Sequence, residues 1–208
     1  MKKIENIYSG FLSIFNYPYI PKELLKRIKG PILLHISDTP IGIYDYIFRI
    51  IDIIKPQFIV HTGDLVDNIK LANYTNKIDL YNKGVARLIE GLEKNKQVKI
   101  YYTLGNHDNY ETVSKLNRKG IILQEGIITI ENYKFAINHY YKEHTCDVDF
   151  NLYGHSFVPG HYKNNETINL NGVLNINIID LSTKEIFHLD YPIGTNRLRL
   201  MEFRRIHF

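Results

Sequence analysis

The stretch "YYTLGNHDNY", residues 101–110, is apolar and aromatic almost to Leu104, stops at Gly105, and then sets an amide, an imidazole and a carboxylate side by side at Asn106, His107 and Asp108. With the residues before it, "VKIYYTL" forms a run apolar on both faces, the pattern of a buried parallel strand. Two upstream runs, "ILLHIS" after Pro31 and "FIVHT" before Gly63, read the same way. Helical patterns separate them: "YDYIFRIIDIIK" and, beyond a polar loop, "KIDLYNKGVARLIEGLEKN". Strand, helix, strand, helix, strand describes right-handed crossover units.

Beyond Gly120 the pattern changes to hairpins. "GIITIENYKFAIN" should turn near Glu131-Asn132, and "TINLNGVLNINII" at Asn171-Gly172, a two-residue hairpin signal. "LSTKEIFHLDY" adds another strand. The expectation is one α/β domain over residues 31–208, with a mixed sheet or two packed sheets between helices. Its first half should be parallel and its second mainly antiparallel. Residues 1–30 stand apart as an N-terminal helical extension. Ile4, Ile7, Phe11 and Ile14 form one helical stripe, "NYPYIP" breaks it, and "PKELLKRIKG" reads as a short helix closed by Gly30. The stripe suits an extension docked on the domain; a helix on a membrane surface or a partner carries the same stripe.

The 208 residues suffice for one domain with a sizeable core. The net charge is +4, from 26 basic and 22 acidic residues, too mild a bias to point to nucleic acid. A single cysteine, Cys146, excludes an intramolecular disulfide and suits a reducing compartment. It reads as a plain thiol, with metal ligation through "HTCD" as the alternative. No stretch is long and apolar enough for a transmembrane segment, and the polar residues after Lys2 and Lys3 do not form a secretory signal. The cytoplasmic compartment is therefore the expectation.

The chemistry collects at strand ends, where ligands gather in open α/β sheets. The first strand ends on Ser37-Asp38, the second on Gly63-Asp64 with Asp67 one turn further on, and the third on Asn106-His107-Asp108. "YKFAIN" ends on His139 and "FNLY" on Gly154-His155. Each has an ordinary explanation taken singly: a helix cap for aspartate, a structural hydrogen bond for histidine, a turn for asparagine. If the five ends converge, they bring two carboxylates, an amide oxygen and three imidazoles into one pocket. Mixed oxygen and nitrogen donors suit Mn, Fe or Zn better than Ca or Mg. Carboxylates that close repel unless cations lie between them. The residues thus describe a metal centre that binds an anion. His35 and His61 lie an odd number of positions before Asp38 and Asp64, which points them to the opposite face of a regular strand.

"SD" after a strand, then "GDLVD", "GNHD", a later His and "GH" resemble, in that order, the calcineurin-like metallophosphoesterase superfamily, over about residues 32–157. The resemblance implies a sandwich of two mixed β-sheets flanked by helices. It implies a hydrolase that cleaves a small-molecule phosphate mono- or diester by attack of a metal-bound hydroxide. Asp64 would bridge two metals, Asn106, His139 and His155 would complete one site, and Asp38 would belong to the other. His107 would stabilise charge on the phosphate or protonate the leaving oxygen, and Asp108 would orient His107. Two ions about 3.5–4 Å apart would hold the attacking and leaving oxygens. The implied cofactor is a divalent transition metal, manganese first, with iron or zinc as alternatives.

Two positions depart from the family's pattern. Pro40 stands where the first motif has a histidine, and Phe157 where the last motif has its second. Both missing imidazoles belong to the site of Asp38, so one metal site is expected to be firm and the other weak or altered. Thr39 would cap the next helix with Pro40 in its first position. His161 and His144 are candidate substitute ligands, against the simpler reading of surface histidines. Two other functions fit the same letters. One is a non-catalytic scaffold, as in the retromer subunit of this fold. The other is a nuclease, for which the basic end "RLRLMEFRRIHF" is the only support; its alternation reads as a strand with a solvated charged face.

Overall fold

The computed structural model describes Leu12 and residues 16–124, 126–143 and 147–201. The stripe Ile4, Ile7, Phe11 and Ile14 lies outside the described residues, as do His144, Cys146, Arg204 and Arg205.

Two mixed sheets organise the chain. The first contains β1 (Ile32–Ile36), β2 (Phe58–His61), β3 (Lys99–Thr103), β4 (Ile121–Leu123), β10 (Ile176–Asp180) and β11 (Ile186–Leu189). Their order is β11-β10-β1-β2-β3-β4, with β1 to β4 parallel and β10 and β11 antiparallel. The second contains β5 (Gly126–Ile130), β6 (Tyr133–Ile137), β7 (Phe150–Tyr153), β8 (Tyr162–Asn164) and β9 (Thr167–Asn171), in the order β5-β6-β7-β9-β8.

The unbroken apolar runs follow from burial on both faces. In the first sheet, Leu34, Ile36, Ile59, Ile100 and Tyr102 face the helices. Leu33, Phe58 and Val60 face the second sheet, where they meet Phe135, Ile137, Phe150 and Leu152. Helix α1 (Lys22–Arg27) is short, and Ile20, Leu24 and Ile28 around it pack on the helix-side core. Helix α2 (Tyr44–Ile54) buries Tyr44, Ile47, Ile50, Ile51 and Ile54, the spacing of one apolar face. It ends where Lys55 turns left-handed and Pro56 follows, since proline cannot continue the hydrogen-bond ladder. Helix α3 (Ile78–Glu93) buries Tyr81, Val85, Leu88 and Leu92. Helix α4 (Tyr110–Leu116) was not expected from the pattern; the Asn109 side chain caps it by accepting from Thr112 N at 2.9 Å.

Several local expectations are corrected. The turn at Glu131-Asn132 joins β5 to β6 as a hairpin. Asn171-Gly172, by contrast, is no hairpin: β9 lies in the second sheet and β10 in the first, so the chain crosses between layers there. The Asn171 amide donates to Ser156 O and Pro159 O, and Gly172 is small because a Cβ would sit 2.7 Å from Ser37 Cβ. The second half is less antiparallel than expected, because β6, β7 and β9 run parallel. Long connections after β6 and β7 permit this. Gly30 does not close α1; it lies against Ser182, where a Cβ would come within 2.4 Å. Thr39 caps nothing, since its hydroxyl donates to Leu65 O, and Asn68 Oδ1 accepts from Ile41 N at the start of the short 3-10 turn instead. The basic end is not a strand through Arg197 and Arg199. Residues Thr195–Leu198 form the short helix α5, and Arg199 is fully buried.

Candidate metal centre

The parallel strands place five chain segments at one edge. Beyond the strands the backbone pairing continues into the ligand residues themselves. Asp38 N donates to Gly63 O and Thr39 N to Asp64 O, each at 3.0 Å. In the second sheet Gly154 N donates to His139 O at 2.9 Å. Asp38, Asp64 and His155 all have positive φ, at 50°, 55° and 66°. Left-handed backbone at non-glycine residues is costly and clusters at functional sites. Gly105 makes room at this edge, because a Cβ there would lie 2.2 Å from Asp64 Oδ1.

His139 is the hub. Its Nδ1–H donates to Thr62 O at 2.7 Å, which turns Nε2 toward the pocket. Around Nε2 lie Asn106 Oδ1 at 3.2 Å, His155 Nδ1 at 3.2 Å and Asp64 Oδ2 at 3.5 Å. Separations of 3.2–3.5 Å are those of neighbouring donors around one transition-metal ion. These residues fit a divalent ion: two imidazoles, one carboxylate and one amide oxygen, with Asp64 and His139 almost wholly buried. Burial alone would lower the His139 pKa, but the contact with Asp64 outweighs it and lifts the group to about 9. Burial pushes Asp64 the other way, yet the His139 contact and the His107 N–H keep its carboxyl below the usual range.

A second set of groups faces the same pocket. Asp38 Oδ2 accepts from the Ser37 hydroxyl and from His155 N at 3.0 Å, while its buried Oδ1 has no partner. Asp67 gives one oxygen to Lys70 Nζ and leaves Oδ2 buried and unpartnered. His107 Nδ1 is also buried without a partner, and its ring, Asp64 and Asp67 offer ligand atoms within 4.8 Å of one another. Orphaned buried polar atoms are rare in folded proteins. Burial, followed by repulsion from Asp64, raises the Asp38 pKa; burial and Asp38 lift Asp67 to about 7.

The family model for calcineurin-like phosphoesterase matches residues 32–193. The chain belongs to that family. Among solved structures, an archaeal phosphodiesterase is similar at 20% identity with a TM-score of 0.56, covering 76% of this chain and 99% of its own. The phosphoesterase YfcE from E. coli is similar at 18% identity with a TM-score of 0.52, covering 77% and 99%. At such identities the likeness is one of fold. No curated protein matches the chain.

In this phosphoesterase, Asp108 does not reach His107, contrary to expectation. Its Oδ2 accepts from Asp64 N at 2.7 Å and Gly105 N at 2.8 Å, and its Oδ1 from Leu65 N and the Tyr81 hydroxyl, both at 2.9 Å. All its nearest lone pairs are taken, so it ties the β2 and β3 ends together. His161 is likewise turned away, to Asn175 Oδ1 and Asn171 N. His144 lies outside the described residues. His35 and His61 are fully buried and bonded to Thr62 and Thr39 hydroxyls. Pro40 is buried and carries no donor.

Sequence reasoning missed two cations. Lys70 is almost buried beside Asp67, three residues away in "DNIK", a pairing visible in the letters. Arg199 donates from Nε to Asp38 O at 2.7 Å, from Nη2 to Ser37 O at 3.2 Å and from Nη1 to Val173 O at 2.8 Å. It also stacks on Tyr191, with 4.2 Å from guanidinium to ring centroid. No local signal marks it, because all these partners but one are distant in sequence. Among the described residues no helix is long and apolar enough to cross a membrane.

Proposed function

We propose that this phosphoesterase hydrolyses a small-molecule phosphate mono- or diester at a metal centre formed by Asp64, Asn106, His139 and His155, with Asp38 and His107 facing the substrate. The observation that carries this reading is the convergence of Asp64, Asn106 and His155 on the Nε2 of His139, next to the unpartnered atoms of Asp38 and His107. When bound, a divalent transition metal, with manganese preferred over iron or zinc, supplies Lewis acidity toward a phosphoryl oxygen and an attacking water.

The chain's own residues do the rest. Thr62 O and the Nδ1–H of His139 fix the ligand ring. Asp108 and Tyr81 hold the Asp64 backbone in place. Burial lowers the His107 pKa, so in the metal-free protein the ring is mainly neutral, and its N–H would donate a hydrogen bond to the charge that develops on a phosphoryl or leaving oxygen. The test is turnover of p-nitrophenyl phosphate and its bis ester by Mn-loaded protein, with metal content measured alongside. His107→Ala should keep the metal and lose about 10²–10⁴-fold in turnover. Metal-loaded wild type with no turnover would sink the hydrolase in favour of a binding scaffold, whereas a variant as active as wild type would sink only the role of His107.

A further inference from the structure

Asp38, Asp67 and Lys70 do not fit a second metal site of the family's kind. Asp38 remains, but the two imidazoles that would accompany it are replaced by Pro40 and Phe157, neither of which has a side-chain donor. The space is not left without positive charge. Lys70 is 9% exposed, and its Nζ is bonded to Asp67 Oδ1. Asp67 is itself fully buried, and its carboxylate lies within 4.8 Å of the Asp64 and His107 ligand atoms. The Asp67 backbone is tied to the β1 end, since its N–H donates to Thr39 O at 3.1 Å. Lys70 has a left-handed backbone, φ 49°, and Asn73 N and Tyr74 N both donate to its carbonyl, so the turn that aims the side chain is closed.

We propose that the centre is mononuclear and that the Lys70 ammonium, anchored by Asp67, takes the second cation's place as a phosphate-binding group. This rests on the hydrolase reading above and specifies its site. An ammonium has three donors. One goes to Asp67, which leaves two for phosphoryl oxygens beside the metal.

The experiment has two readouts that do not depend on turnover. Electron paramagnetic resonance of the Mn-titrated wild type should give one uncoupled Mn(II) per chain, and a spin-coupled pair would overturn the proposal without any variant. Inorganic phosphate binding to the Mn-loaded protein is then measured by calorimetry. Lys70→Gln should retain one ion and bind phosphate about 10- to 100-fold more weakly, with Lys70→Arg recovering part of the loss. One ion with unchanged phosphate affinity in Lys70→Gln would overturn the role of Lys70 and leave the hydrolase standing. A wild type that binds neither Mn nor phosphate would overturn both.

Discussion

At the scale of single residues, His139 ties proton and metal to one atom. Its Nδ1 is committed to Thr62 O, so a proton and a metal compete for Nε2. With a pKa near 9 in the metal-free protein, the proton occupies that site at neutral pH. Metal affinity should therefore fall about tenfold for each pH unit below 9, with about one proton released per ion bound at pH 7. Calorimetry in buffers of different ionisation enthalpy measures that proton directly, and a buffer-independent heat would contradict the assignment. The same raised pKa has a stability sign. The group's stabilising contribution to the metal-free fold is complete below about 6.5 and is lost as pH rises through about 9. The residues at this centre were legible because glycine followed by a polar residue at the end of an apolar run marks a strand end. The job of Asp108 was not, because adjacency to His107 in sequence says nothing about where a side chain points. Its donors come from the neighbouring strand end and from α3.

At the scale of elements, the Asn171 amide clasps the segment that carries His155. Asn171 donates to Ser156 O at 2.7 Å and Pro159 O at 2.8 Å, and accepts from Val173 N at 2.9 Å. Asn171→Ala removes these three bonds, although Pro159 O keeps the Tyr153 hydroxyl at 3.3 Å, and should cost about 1–2 kcal/mol by chemical denaturation, with weaker metal binding. An unchanged midpoint would show that the segment is fixed by other contacts. This bridge explains why "NG" misled the reading of the sequence. The same two letters serve a type I′ turn or, as here, a side-chain clasp with a close backbone approach. The parallel strands β1 to β3 were legible from apolar runs, but β4 was not. It has three residues, half of its neighbours in the chain are polar, and only pairing with β3 makes it a strand.

At the scale of the whole molecule, the candidate metal ligands come from both sheets: Asp64 and Asn106 follow β2 and β3, His139 and His155 follow β6 and β7. An ion bound there would cross-link the two layers in addition to the apolar core that Leu33 and Val60 share with Phe135 and Phe150. At a free metal concentration about a hundredfold above the dissociation constant, binding adds about 2.7 kcal/mol. For a chain of this size that corresponds to a melting temperature about 5–10 °C higher than with chelator. A metal-independent melting curve would show that the ion does not hold the two layers together. The sandwich itself was legible as a family resemblance; the layer change between β9 and β10 was not, since nothing in the local pattern distinguishes a hairpin from a crossing.

The burial of Arg199 has a consequence for biosynthesis. The guanidinium that holds Ser37 O and Asp38 O comes from late in the domain, as does β10, the neighbour of β1 in the sheet. While a nascent chain emerges in order, β1 to β4 can assemble first, but with one edge of β1 open and the Asp38 turn unsupported. Such an edge is prone to wrong pairing. The Asp38 turn should acquire its final support only once residue 199 has left the ribosome, so the candidate metal edge would be among the last parts of the domain to be completed.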